Sequence, residues 1–166
     1  MWRILVVSDS HGNNTYLGEA VKKAGDINMM IHLGDVCIEY NEIAGIAGVP
    51  TYVVRGNCDY DNTLMDRNVI AVGSHKIYAT HGHRQQVQFG VSLLKEVAAQ
   101  NGCDIAMYGH THVPYLELSD EGVDSKHMMV LNPGSISKPR QVGYKKTYAI
   151  VEIADDGAVS CSIENV

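Results

Sequence analysis

A mixed α/β fold, built on one mixed β-sheet or on two packed sheets, is what this 166-residue sequence predicts. In the first half, short apolar runs alternate with helix-periodic stretches, which is the pattern of βαβ units and a parallel sheet. In the second half, apolar runs are separated by turn sequences such as Asp120-Glu121-Gly122 and Asp155-Asp156-Gly157, a pattern that reads as antiparallel. No internal repeat, linker or low-complexity tract interrupts the chain, so a single domain over residues 1–166 is expected.

Taken in order, Arg3–Ser8 reads as a buried strand, and Asn13 or Asn14 can cap a helix running to about Lys23. Met29–Leu33 is the second strand, Asn41–Ala47 a short helix and Thr51–Arg55 the third strand. Val69–Val72 and Lys76–Thr80 pair as a hairpin turning at Gly73-Ser74. Val87, Val91, Leu94 and Ala98 form an apolar stripe that predicts one helix over Gln86–Gln100, ending before Gly102. Asp104–Tyr108, Tyr115–Leu118, His127–Leu131, Thr147–Ile153 and Val159–Ile163 complete the strands.

The composition excludes several classes of function. Nineteen acidic against thirteen basic residues give a net charge of −6, so a broad electrostatic grip on nucleic acid is not expected, whereas a small phosphorylated substrate is acceptable. Apolar stretches break well short of the ~18 residues a membrane span needs. Met1 leads directly into an apolar run with no leader pattern, and the expected address is the cytoplasm. Four cysteines without CxxC spacing read as reduced thiols, with Cys37, Cys103 and Cys161 as small core residues.

Metal-ligand residue types recur just after the apolar runs. Asp9 and His11 follow the first, Asp35 the second, Asn57 the third, His81 and His83 the hairpin, and His110 and His112 the next strand. Gly34, Gly56, Gly82 and Gly109 sit beside them, as expected where backbone must turn sharply or come close. In α/β sheets the carboxyl ends of strands are where loops converge on a ligand. Gathering so many polar groups without a cation would be costly. Oxygen from Asp9, Asp35 and Asn57, nitrogen from His11, His81, His110 and His112, and no thiolate suit Mn, Fe, Ni, Co or Zn better than Mg or Ca. Seven groups are too many for one tetrahedral site, whereas two ions ~3.5–4 Å apart can share a bridging carboxylate. His32, inside a strand, reads as a core or supporting group, and His75 and His127 as surface residues in or near turns.

The motifs DSH at Asp9–His11, GD at Gly34-Asp35, GNCD at Gly56–Asp59, HGH at His81–His83 and GHTH at Gly109–His112 resemble the calcineurin-like metallophosphoesterase superfamily. The short length and NPGS at Asn132–Ser135 resemble its small bacterial and archaeal phosphodiesterase branch. The resemblance implies a two-sheet αββα sandwich with two divalent transition-metal ions at its rim, manganese foremost. By position, Asp9, His11 and His112 would hold one ion, Asn57, His81 and His110 the other, and Asp35 would bridge them. A hydroxide between the ions would attack phosphorus in line. Asn57, Cys58 and His83 are the expected catalytic residues, and Asn57, His83, Ser135 and Arg140 the expected substrate contacts, with Ser137 as a weaker candidate for the same role. Many members carry His where this chain has Cys58, so the usual acid for the leaving oxygen is missing, and Asp59 occupies the position that orients that His. Two other readings carry weight: a protein-binding scaffold like the retromer subunit of this fold, and a nuclease. Self-association is left open.

Overall fold

The computed structural model describes residues 1–118 and 128–166. The Asp120-Glu121-Gly122 turn and His127 fall outside the described residues. Among the described residues, ten strands and three α-helices follow the order β1 (Trp2–Val7), α1 (Asn14–Ala24), β2 (Met29–His32), α2 (Tyr40–Ala47), β3 (Thr51–Val53), β4 (Arg67–Val72), β5 (His75–Thr80), α3 (Ser92–Gln100), β6 (Ile105–Met107), β7 (Tyr115–Glu117), β8 (Met129–Asn132), β9 (Thr147–Ile153) and β10 (Val159–Asn165). They build two five-stranded mixed sheets, ordered β10-β9-β1-β2-β3 and β4-β5-β6-β8-β7.

Alternation along β1 explains how the layers stack. Successive side chains of a strand point to opposite faces. Ile4 and Val6 therefore enter the core between the sheets, with Ile31, Ile77, Met107, Leu131 and Val151. Leu5 and Val7 enter a second core beneath α1 and α2, packing with Leu17, Ala20, Ile43 and Ala47. On the far side, Leu94 and Ala98 of α3 pack on Tyr78, Ala106 and Val130. Both faces of the central strands are covered, which is why they read as unbroken apolar runs. Asn13 caps α1, its side-chain oxygen accepting from the Tyr16 amide at 3.3 Å, as its position before the helix requires.

Three expectations are corrected. The helix over Gln86–Gln100 is shorter: two 3₁₀ turns, His83–Gln85 and Val87–Phe89, precede α3, which begins at Ser92. Gly90, at φ 136° and ψ 169°, breaks the helix in a conformation open to glycine, although the stripe still buries Val87, Leu94 and Ala98. The second half is not wholly antiparallel, because β8 pairs in parallel with β6. All four residues of β8 are buried, the mark of an interior parallel strand that alternation cannot report. Cys37 is exposed rather than in the core, while Cys103 is buried and Cys161 half-buried.

The topology positions the site. Strands β1, β2 and β3 are parallel, in the registers Val7↔His32 and His32↔Val53, so the segments bearing Asp9, Asp35 and Asn57 leave the same edge. In the other sheet β5, β6 and β8 are parallel, and the segments bearing His81, His110 and Asn132–Ser135 leave together. Cross-links join the two edges: the His81 Nδ1 lies 2.6 Å from the Leu33 carbonyl, and the Ile136 amide donates to the Ser8 carbonyl at 3.1 Å.

Candidate metal centre

Backbone strain marks this edge. Among the described residues, eight non-glycine positions have positive φ, and five are expected ligands: Asp9 (55°), His11 (47°), Asp35 (54°), His110 (67°) and His112 (60°). Each such conformation costs on the order of 1 kcal/mol or more and persists only where its surroundings fix it. The fixing groups are visible. The Asp9 and His11 amides donate to the Gly34 and Asp35 carbonyls at 3.0 and 2.9 Å, and the Gly109 amide to the His81 carbonyl at 3.0 Å.

The resulting cluster is dense in ligand atoms. One ligand atom from each of Asp9, His11, Asp35 and His112 lies within 4.8 Å of every other. The Nε2 atoms of His11 and His112 are 3.3 Å apart. His112 Nε2 is 3.1 Å from Asp9 Oδ1, yet that buried oxygen has no hydrogen-bond partner. An unpaired buried carboxylate oxygen facing imidazole nitrogens is what a cation site requires. Alongside, His81 Nε2 lies 3.1 Å from Asn57 Oδ1 and 3.5 Å from Asp35 Oδ1, and the His110 ring stacks edge-on at 5.2 Å from that of His81. Asp35 faces both groups, its Oδ2 being 3.8 Å from His11 Nε2.

Supporting bonds set the imidazole tautomers. His81 Nδ1 and His112 Nδ1 each lie 2.6 Å from a carbonyl, of Leu33 and Lys138, so each Nδ1–H donates outward and leaves the Nε2 lone pair facing the cluster. Burial holds the His11, His110 and His83 imidazoles below the usual range, which favours their neutral, metal-binding form. For Asp9 burial works toward a higher pKa, but the closeness of the His112 and His81 imidazoles and the Ser8 hydroxyl outweighs it and keeps the carboxyl low. The Asp9 Oδ2 accepts from the Ser8 hydroxyl at 2.6 Å and the His110 amide at 3.1 Å, fixing the side chain from both sheets.

The remaining candidates divide. His83 lies 5.4 Å from His81 and 6.1 Å from His110, ring to ring, and its buried Nδ1 has no partner. Asn57 and Arg140 are exposed and Cys58 is half-buried, all on loops at this edge. Ser135 is fully buried, and its hydroxyl donates to the Asp9 carbonyl at 2.9 Å, which holds the Asp9 turn. Ser137 donates to the same carbonyl at 2.9 Å. His32 is a buried support, bonding Ser10 Oγ at 2.9 Å and the Gly34 amide at 3.2 Å, with burial lowering its pKa to about 4. His75 is half-buried, tied to Asp104 and the Gly157 carbonyl.

Two features escaped sequence reasoning. Asp59 accepts the Asp35, Gly56 and Cys37 amides, each at 2.8 Å, and so clamps two of the site's loops together. Its position two residues after Asn57 was the signal, but backbone partners leave no mark in a sequence. Asn132 likewise braces the Gly109 carbonyl and Thr111 hydroxyl at 2.9 and 3.0 Å.

Gly56 shows how closely the loops approach. A Cβ there would meet Asp35 Oδ1 at 2.1 Å and the Asp35 amide at 2.3 Å. Gly56→Ala is therefore expected to displace Asp35, costing about 2 kcal/mol or more and lowering metal content. Urea denaturation and elemental analysis of the variant will check both.

Two packed sheets thus carry, at their strand ends, a cluster of carboxylates and imidazoles whose donor types suit a divalent metal ion. Residues 2–156 match the calcineurin-like phosphoesterase superfamily domain, and the chain belongs to that superfamily. It is 33% identical over 156 residues to the probable metallophosphoesterase YsnB of Bacillus subtilis, covering 93% of this chain and 86% of that one. A predicted phosphoesterase from Streptococcus pneumoniae superposes with a TM-score of 0.78 at 30% identity, covering 99% and 98% of the two chains. A Vps29 variant from Entamoeba histolytica superposes with a TM-score of 0.71 at 26% identity over 99% of each chain.

Proposed function

We propose that this chain is a dinuclear metal-dependent phosphoesterase, acting on diesters in preference to monoesters from a single domain in the cytoplasm. The observation that carries the reading is the double aspect of Asp35, with Oδ2 3.8 Å from His11 Nε2 and Oδ1 3.5 Å from His81 Nε2. Asp9, His11 and His112 would hold one cation, Asn57, His81 and His110 the other, and Asp35 both. When bound, two such ions supply Lewis-acid neutralisation of a phosphoryl group and activation of water; manganese suits the donor set, with Ni, Fe, Co and Zn close behind.

The chain's own residues supply the rest. Asn57, exposed at the rim, reaches a phosphoryl oxygen through its amide, and Arg140 offers a guanidinium at the opposite loop. His83, held low by burial and by its neighbours His81 and His110, is placed to orient substrate or water. Cys58 is a poor acid. Burial, a hydrogen bond with Asp35 and the Asp35 charge push its thiol up to about 11, so it gives a departing alkoxide little help.

Leaving-group acidity then governs the rate, and aryl diesters are expected to be cleaved much faster than alkyl monoesters. Cys58→Ala should reduce aryl-diester turnover less than about threefold, against the ~10²–10⁴-fold that a working general acid contributes. Loss of aryl-diester hydrolysis in Cys58→Ala with metal retained would give Cys58 an essential role. The Asp59 carboxylate, in the position that orients a histidine in many members of the superfamily, is here engaged by three backbone amides. A screen of metal-loaded protein against aryl diesters, phosphomonoesters and cyclic nucleotides tests the reading, and inactivity on every phosphoester would refute it. Likeness to Vps29 favours a second, protein-binding reading; the intact ligand set favours the enzyme.

A further inference from the structure

The loop that follows β8 and Ser135 is basic in an acidic protein. Residues 138–146 hold Lys138, Arg140, Lys145 and Lys146 and no acidic residue, in a chain of net charge −6. Its first part is anchored to the candidate metal centre. The Lys138 amide donates to Ser135 Oγ at 2.7 Å, its carbonyl accepts from His112 Nδ1 at 2.6 Å, and the Arg140 amide donates to the His112 carbonyl at 3.1 Å. Pro139 fixes φ between them and holds Lys138 away from helical backbone, which stiffens the pair.

The four cations are not equivalent. Lys146 stacks on the Tyr16 ring at 4.5 Å. Lys138 and Arg140 are exposed, and among the described residues neither pairs with a carboxylate. Cys37 also lines a cleft of about 540 Å³ with Glu39, Asp59, Tyr60, Asp61 and Thr63, whose carboxylates repel an anion. The loop that bears Lys138 and Arg140 is thus the basic surface next to the site, and this cleft an acidic one.

We propose that Lys138 and Arg140 form a second-anion subsite, so that the preferred substrates are phosphoesters carrying a further phosphate or similar anion away from the bond that is broken. This rests on the phosphoesterase reading above. An ammonium and a guanidinium fork two positions apart on an anchored backbone suit a phosphate, the guanidinium bidentately.

Calorimetry on the metal-loaded protein tests this with thymidine 3′,5′-bisphosphate and thymidine 5′-monophosphate as probes. The bisphosphate is expected to bind about tenfold tighter, equivalent to about 1.4 kcal/mol. That preference should fall to about twofold or less in Lys138→Gln/Arg140→Gln and persist in Lys145→Gln/Lys146→Gln, which loses the same two charges, so that a merely diffuse charge effect would weaken both variants alike. Equal affinities in the unmodified protein, or a preference surviving in the double variant, would overturn the subsite. Hydrolysis of bis(p-nitrophenyl) phosphate by the unmodified protein reports separately on the phosphoesterase reading, because that ester has no second anion.

Discussion

Chelation is expected to abolish phosphoester hydrolysis and to release two transition-metal ions per chain, with activity returning when manganese or a similar divalent cation is restored. The reason is chemical necessity at the cluster. Asp9 Oδ1 is buried without a hydrogen-bond partner, and the His81 and His112 Nε2 lone pairs are turned inward by carbonyls behind them. Cys58, the thiol next to Asn57, is pushed up to about 11 by burial and by Asp35, so it is a weak nucleophile in place of activated water. Elemental analysis before and after chelation, with turnover of an aryl diester at each stage, measures both quantities. Full activity in metal-free protein, or an active form saturated at one ion, would contradict the two-metal reading.

Asp35→Asn is expected to lower turnover by more than about 10²-fold, and by more than either His11→Ala or His110→Ala. Loss of a supporting group already costs ~10–100-fold in metal affinity or activity, and Asp35 faces both sets of nitrogens at once. An amide offers one oxygen where the carboxylate offered two, and it carries no charge to hold two cations together. Folding should largely survive, because the Asp35 backbone keeps its bonds to His11 and Asp59. Rate and metal content across the three variants decide the matter. A near-normal rate in Asp35→Asn would show that the bridge is misassigned.

The ligand loops were legible in the sequence because of where they sit. A strand buried on both faces reads as an apolar run, and a residue that must coordinate at its carboxyl end reads as an abrupt polar interruption, as at Asp9, Asp35 and His81. What failed depended on long-range pairing or on backbone chemistry. The stripe from Val87 to Ala98 buries one face as expected, yet Gly90 divides the segment, and periodicity alone cannot distinguish a helix from two turns and a helix in register. The direction of β8 depends on its pairing with β6, which no alternation encodes. Cys37 looked like a core residue by type, but it holds a left-handed turn in the loop after Asp35, with φ 56°. Asp59, Asn132 and Lys138 act through amides and carbonyls, so their spacing to the ligands carried no recognisable pattern.

The bonds crossing between the two strand edges have a consequence beyond chemistry. Asp9, His11, Asp35 and Asn57 leave one sheet, and His81, His110 and His112 leave the other, so any ion held by both sets ties the two halves of the sandwich at one end. The centre then behaves as a latch, and part of the fold's resistance to unfolding is borrowed from solution. For a ligand that binds only the folded chain, that contribution grows with the logarithm of free metal, reaching about 2.7 kcal/mol at a hundredfold excess over Kd. In a metal-poor medium such a protein would lose rigidity and activity together.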